Sequence, residues 1–152
     1  MIPPEGPADG PGPVPPVGLP GVDAESPATI LIAEDDDGVR RFAATYLGRL
    51  GYRILEAVDG RDALRVAEDY SGTIHLLLTD VVMPNVNGPE LARLLLEVRP
   101  ETRLLFMSGY VGDGKVFPLS LVGSAPLLQK PFRPAVLAEE VRSLLGHGSS
   151  DG

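Results

Sequence analysis

The strongest constraint on how this chain can fold is the run Leu76-Leu77-Leu78-Thr79, which is apolar without alternation and stops at a single carboxylate, Asp80. A run of that kind fits a strand buried on both faces, as in a parallel sheet. Ile30-Leu31-Ile32-Ala33 reads the same way and ends in four successive carboxylates, Glu34-Asp35-Asp36-Asp37. Arg103-Leu104-Leu105-Phe106-Met107 and Leu127-Leu128-Gln129 are two more strands, halting at Ser108-Gly109 and at Lys130-Pro131. Tyr52 to Ala57 alternates polar and apolar residues through Arg53 and Glu56, as a half-exposed edge strand does.

Helical periods fill the gaps. Val39, Phe42, Ala43, Tyr46, Leu47 and Leu50 recur at helical spacing, with Gly51 placed as a C-terminal cap and Arg40 and Arg41 on a solvated face. Asp36 and Asp37 suit the positive end of that helix. Asp59-Gly60 predicts a turn and Arg61 to Tyr70 a second helix. Leu91, Leu94, Leu95 and Val98 form one face of a third helix, which starts near Pro89 and is ended by Pro100. Pro134 opens a last helix carrying Leu137, Val141, Leu144 and Leu145. Between Tyr110 and Pro126, Gly112, Gly114, Pro118 and Gly123 interrupt any helical period, so a helix there is expected to be short or disordered. Strands and helices alternate five times, which predicts an α/β fold on a parallel sheet with both faces covered.

The 152 residues, 43% hydrophobic and 22% charged, suffice for one domain with a core and not for two. Residues 1–28 are read as a disordered Pro/Gly-rich linker. Up to Pro27 they hold nine of the 16 prolines and no Lys or Arg, which leaves too little apolar surface to offset ordering entropy. The globular unit is expected over residues 29–146, with 147–152 a disordered tail and no output domain beyond it. The absence of cysteine excludes disulfides and thiolate metal sites. A formal net charge of -8 argues against a free-standing nucleic-acid binder, which needs clustered Lys and Arg. No apolar run approaches about 20 residues, and Met1-Ile2-Pro3-Pro4 lacks the basic and apolar regions of a signal peptide. A cytoplasmic protein without membrane contact is the expectation.

Taken alone, Asp80 reads equally well as a loop cap. In a parallel sheet, however, all strand ends lie on one edge, so Glu34, Asp35, Asp80, Ser108 and Lys130 converge there. Three acids brought together repel one another unless something positive sits among them, and a hard divalent ion such as Mg2+ takes oxygen ligands of this kind. Lys130 adds a point charge and Ser108 a hydroxyl donor. Such a set suits a transferring phosphoryl group, whose chemistry needs positioning and charge neutralisation. Asp80, central and alone on its strand end, is the carboxylate to accept it. Two histidines, His75 and His147, have no metal partner at useful spacing and read as strand-entry and tail residues, and Gly88 reads as a backbone necessity.

The ordered set Glu34-Asp35, Asp80 with Met83-Pro84 and Gly88, Ser108-Gly109, and Lys130-Pro131-Phe132 resembles the receiver domain of two-component response regulators over roughly Thr29 to Gly146. Phe106-Met107-Ser108-Gly109-Tyr110 is also similar to receivers attached to hybrid histidine kinases. The resemblance implies a flavodoxin-like, doubly wound five-stranded sheet in the order 2-1-3-4-5. It implies that Asp80 takes a phosphoryl group from a phosphohistidine on a histidine kinase or histidine phosphotransfer domain. Mg2+ would be held by Asp35, Asp80 and the main-chain carbonyl of Val82, with Glu34 acting through a water. Ser108 would be the switch hydroxyl and Lys130 the phosphate's partner, with the Lys130-Pro131 bond cis. Val82 and Tyr110 stand where receivers modulate loss of the acyl phosphate, and the chain is expected to be a monomer.

Two departures from the pattern stand out. Leu127 replaces the Tyr or Phe that rotates inward on activation in many receivers, and the Gly- and Pro-interrupted stretch replaces the fourth helix. Phosphorylation is therefore expected to order or shift the Ser108 to Pro126 loop directly. Two other classes are a degenerate, unphosphorylated receiver-like binding module and a phosphatase of the haloacid-dehalogenase type. The second needs an Asp two residues after the first, where this chain has Val82; the first is opposed by the intact acid, hydroxyl and lysine set.

Overall fold

The structure is a computed structural model that describes residues 27–109 and 125–145. The expected linker up to Ser26, most of the Tyr110 to Pro126 segment, Tyr110 itself, His147 and the expected tail lie outside the described residues.

The elements are β1 (Thr29–Ala33), α1 (Asp37–Arg49), β2 (Arg53–Ala57), α2 (Gly60–Asp69), β3 (Leu76–Asp80), α3 (Gly88–Val98), β4 (Arg103–Ser108), β5 (Leu127–Gln129) and α4 (Pro134–Leu144). The five strands form one parallel sheet in the order β2-β1-β3-β4-β5, the flavodoxin-like arrangement. The chain leaves β1 toward β2 on one side and returns as β3 on the other, so the point where strand order reverses lies between β1 and β3. Open α/β sheets carry their ligands outside the carboxyl ends of the strands at such a point.

Alternation within the strands builds two cores. Leu31, Ala33, Leu77 and Phe106 face one side, where Ala63 and Ala67 of α2 and Leu91, Ala92 and Leu95 of α3 cover them. Ile30, Ile32, Leu76, Leu78, Leu105 and Met107 face the other, beneath Ala43, Ala44 and Leu47 of α1 and Leu137 and Val141 of α4. Leu76, Leu77 and Leu78 are all fully buried, which is why their run does not alternate. Each such side chain stabilises the fold by about 1.5–3 kcal/mol relative to exposure. Ala28 also belongs to this unit: it is buried, and its carbonyl accepts from the Arg53 amide at 2.9 Å. Among the described residues no helix is long and apolar enough to cross a membrane.

The helix ends follow their sequence signals. Asp36, Asp59 and Asn87 cap α1, α2 and α3 by accepting from the amides of Val39, Asp62 and Glu90. Asp59 is thus a cap and Gly60 already helical, where a turn was expected. Gly51, with φ 106°, ends α1: its amide donates to the Gly48 carbonyl and that of Tyr52 to the Leu47 carbonyl, the double bond of a Schellman cap.

The buried stripe of α1 differs from expectation by one position. Arg40, Ala43, Ala44 and Leu47 face the sheet, whereas Phe42 and Leu50 are each 43% exposed. The two alanines let the helix approach closely, and Phe42 instead stacks on Tyr46 at a centroid distance of 6.3 Å. Arg40, expected in a solvated face, is only 7% exposed. Its guanidinium satisfies its hydrogen-bonding groups internally, which permits the burial. Val98 is likewise exposed at the end of α3 rather than part of its apolar face.

Gly88 is the backbone necessity expected of it. A Cβ there would lie 2.3 Å from the Asp80 carbonyl oxygen and 3.0 Å from the Val81 Cα. Gly48 contrasts with it, since its Cβ would meet only the Ile54 side chain at 3.9 Å. Gly48→Ala is therefore expected to stabilise the protein by about 0.5–1 kcal/mol, the ordinary helix gain. Gly88→Ala should destabilise it by roughly 1–3 kcal/mol through overpacking. Urea unfolding of both variants beside wild type checks the opposite signs.

Candidate functional site

Register brings the strand-end residues together. Ala33 pairs with Thr79, so Glu34 and Asp80 stand level one residue later at the strand-order reversal. Asp80 pairs in turn with Met107, and Ser108 with Gln129, which sets Ser108 and Lys130 at the adjoining strand ends. The Lys130 amide donates to the Ser108 carbonyl at 2.8 Å, and the Lys130-Pro131 peptide is cis.

One ammonium joins the two buried acids. Lys130 Nζ donates to Glu34 Oε1 at 2.9 Å and to Asp80 Oδ2 at 3.1 Å. Glu34 is 1% exposed and Asp80 7% exposed. Glu34 uses its other oxygen, Oε2, to accept from the Asp36 amide at 3.0 Å. Asp35 is exposed at the mouth. Carboxylate oxygens of Glu34, Asp35 and Asp80 all lie within 4.8 Å of one another, the only such cluster of acids and histidines among the described residues.

Burial dominates the electrostatics. It pushes the Glu34 and Asp80 carboxyls above their ordinary values of 4.5 and 3.8; the Lys130 ammonium opposes both shifts, and a neighbouring acid adds to each. Burial pulls the Lys130 ammonium down, but its hydrogen bond to Glu34 and the charge of Asp80 outweigh this, so its pKa is raised from the ordinary lysine value. Three carboxylates against one ammonium leave two formal negative charges in the pocket. All three acids present hard oxygen donors, and with Lys130 already among them the charge still to be balanced is that of one divalent cation.

The other sequence-predicted residues take different positions. Ser108 is half-buried, and its hydroxyl donates to the Gly109 carbonyl at 3.4 Å rather than to Asp80. Val82 is 60% exposed in the loop after β3. That loop is fixed by the Gly88 amide donating to the Val81 carbonyl at 2.8 Å and by Asn85, at φ 71°, whose side-chain amide donates to Asp59 at 2.9 Å. Leu127, on the edge strand, is exposed. His75 sits at the entry to β3, far along the strands from the acids, with Nδ1 accepting from the Thr29 amide at 2.9 Å. Burial lowers its pKa, as expected of an imidazole serving as an acceptor.

Sequence reasoning missed Arg40. Its Nη1 donates to the Glu34 carbonyl at 3.0 Å, directly behind the acid pair. The available signal was its place one turn ahead of Ala43 and Ala44, in register with Leu47 on the helix.

Comparison with known proteins agrees with this arrangement. Residues 30–142 match the family described as the response regulator receiver domain. The chain is 36% identical over 123 residues to the sensor kinase CckA of Brucella abortus, covering 81% of this chain and 13% of that protein. It is 35% identical over 117 residues to the response regulator receiver protein CpdR of the same organism, covering 76% of this chain and 95% of that protein. Among solved structures, the receiver domain of the hybrid histidine kinase CckA superposes with a TM-score of 0.61 at 36% identity, covering 78% of this chain and 99% of that one. The chain therefore belongs to the receiver domain family of two-component response regulators.

Proposed function

We propose that this receiver accepts a phosphoryl group on Asp80 from a phosphohistidine of a histidine kinase or histidine phosphotransfer domain, and signals by conformational change. The observation that carries the reading is the single ammonium of Lys130 set between buried Glu34 and Asp80, in a pocket where it faces three clustered carboxylates. A carboxylate oxygen of Asp80 attacks phosphorus, the phosphorus–nitrogen bond breaks as the phosphorus–oxygen bond forms, and the imidazole leaves with the bonding pair. Lys130 Nζ is the donor that follows the charge onto the phosphoryl oxygens, and Ser108 Oγ supplies a second hydrogen bond on turning from the Gly109 carbonyl. Asp35 and Asp80, with the Val82 carbonyl, would hold Mg2+, and Glu34 would do so through a water. The ion would neutralise charge on the phosphoryl oxygens. The chain acts on no other substrate. Its domain is proposed to run over residues 28–146, one residue earlier than the sequence pattern predicts because Ala28 is buried in it, as a cytoplasmic monomer that binds neither nucleic acid nor membrane.

Incubation of the 152-residue chain with acetyl phosphate and Mg2+ should add the mass of one phosphoryl group to wild type and none to Asp80→Asn. Wild type that gains no mass contradicts the reading.

The charge balance gives a pH-dependent expectation. Because burial raises the folded carboxyl pKa values of Glu34 and Asp80, the folded chain holds protons that the unfolded chain has released. Their unfavourable contribution is absent below the ordinary carboxylate range and grows as pH rises through the folded values. Lys130 offsets it throughout this range, since its raised pKa keeps it charged to high pH. Lys130→Met should accordingly cost roughly 1–3 kcal/mol at pH 7, and the deficit should shrink toward pH 4 as the acids protonate. Urea titrations at both pH values, without Mg2+, measure it.

A further inference from the structure

Arg40 is the only buried basic residue among the described residues, and the only buried charged one besides Glu34 and Asp80. Burying a guanidinium is costly, and an apolar chain of similar length would fill the same place on the α1 stripe. Its contacts show what the charge is used for. Nη1 donates to the Glu34 main-chain carbonyl at 3.0 Å, Nε to Glu56 Oε1 at 3.2 Å, and Nη2 pairs with Asp37 Oδ1 at 2.7 Å. Asp37 and Glu56 fix the guanidinium on α1 and on the edge strand β2, and the remaining arm points to the chain between them. The Glu34 amide is held as well, donating to the Ala57 carbonyl at 3.1 Å. Both polar groups of the Glu34 backbone are thus held, the amide by β2 and the carbonyl by Arg40 of α1.

We infer that Arg40 is a positioning residue for the acid pair: by holding the Glu34 carbonyl it fixes the Glu34-Asp35 peptide, and so the direction in which both carboxylates leave the end of β1. The inference rests on the proposed reading that Glu34, Asp35 and Asp80 hold Mg2+. Rotation of that peptide would carry Asp35 away from Asp80 and loosen the Asp36 amide from Glu34 Oε2, opening a cluster that now lies within 4.8 Å. A planar fork with both ends anchored suits this task in a way that a lysine cannot, because one ammonium cannot reach the carbonyl, Glu56 and Asp37 in a fixed geometry. Partners of this kind behind the ligands typically change metal affinity by about 10–100-fold when removed.

The test is isothermal titration of the full chain with MgCl2 alone, for wild type, Arg40→Met, Arg40→Lys and Glu56→Ala. Far-UV circular dichroism and the amide resonances of the metal-free proteins are recorded alongside. Arg40→Met should bind Mg2+ roughly 10–100-fold more weakly while remaining folded, with Arg40→Lys recovering only part of the loss. The Asp35 and Asp36 amide resonances should shift in Arg40→Met before any metal is added, which a change in global stability alone does not produce. Glu56→Ala removes a half-exposed anchor and leaves the core intact, so it should show a smaller loss in the same direction even if Arg40→Met does not fold. Folded Arg40→Met, or Glu56→Ala if Arg40→Met does not fold, with wild-type affinity and unmoved Asp35 and Asp36 resonances would overturn the positioning role alone. Wild type that binds no Mg2+ would overturn the metal reading and this inference with it.

Discussion

The pocket depends on one ammonium shared by two buried carboxylates. Lys130 reaches both Glu34 and Asp80 from the end of β5, across strands that are distant in sequence and adjacent in the sheet. Burial disfavours the charge of either acid, and the lysine offsets this only in part, so their pKa values remain raised. With Asp35 beside them, three carboxylates face one ammonium, and the cluster keeps a net negative charge. A fully neutralised cluster would have no electrostatic demand for a cation.

The surrounding fold holds this arrangement from the backbone side. Parallel register sets Glu34 level with Asp80, and the loop after β3 packs so closely that only glycine fits at position 88, against the Asp80 carbonyl. The Asp59 cap of α2 also holds Asn85 of that loop, so a helix end and a site loop share one side chain. On the other flank, Arg40 ties the Glu34 carbonyl to α1 and β2. The acids are therefore constrained through their main chains as well as by Lys130 and, for Glu34, by the Asp36 amide.

The parts of this architecture legible in the sequence were those set by local pattern. β3 was readable because a strand buried on both faces has no choice but a continuous apolar run, and Asp80 was conspicuous because it ends that run. The acid, hydroxyl and lysine positions followed from one rule, that parallel strands finish on one edge. The face of α1 was not legible, since Phe42 and Tyr46 are as apolar as any core pair yet stack on each other near the surface. Arg40 was hidden for a related reason. Its burial is made tolerable by Glu56 and by a main-chain carbonyl after β1, partners that exist only once β2 lies beside β1. The orientation of the Ser108 hydroxyl toward Gly109 depends on side-chain rotation, which no spacing encodes.

Charge, burial and register all converge on Asp80, and its proposed role as the phosphoryl acceptor can be read chemically. Borohydride reduces an acyl phosphate of aspartate to homoserine, leaving a permanent mark at the phosphorylated position. Peptide mapping of the phosphorylated, reduced chain should find homoserine at position 80 alone. Reduction at Asp35 or any other acid, with Asp80 unmodified, would contradict the assignment on which the mechanism rests.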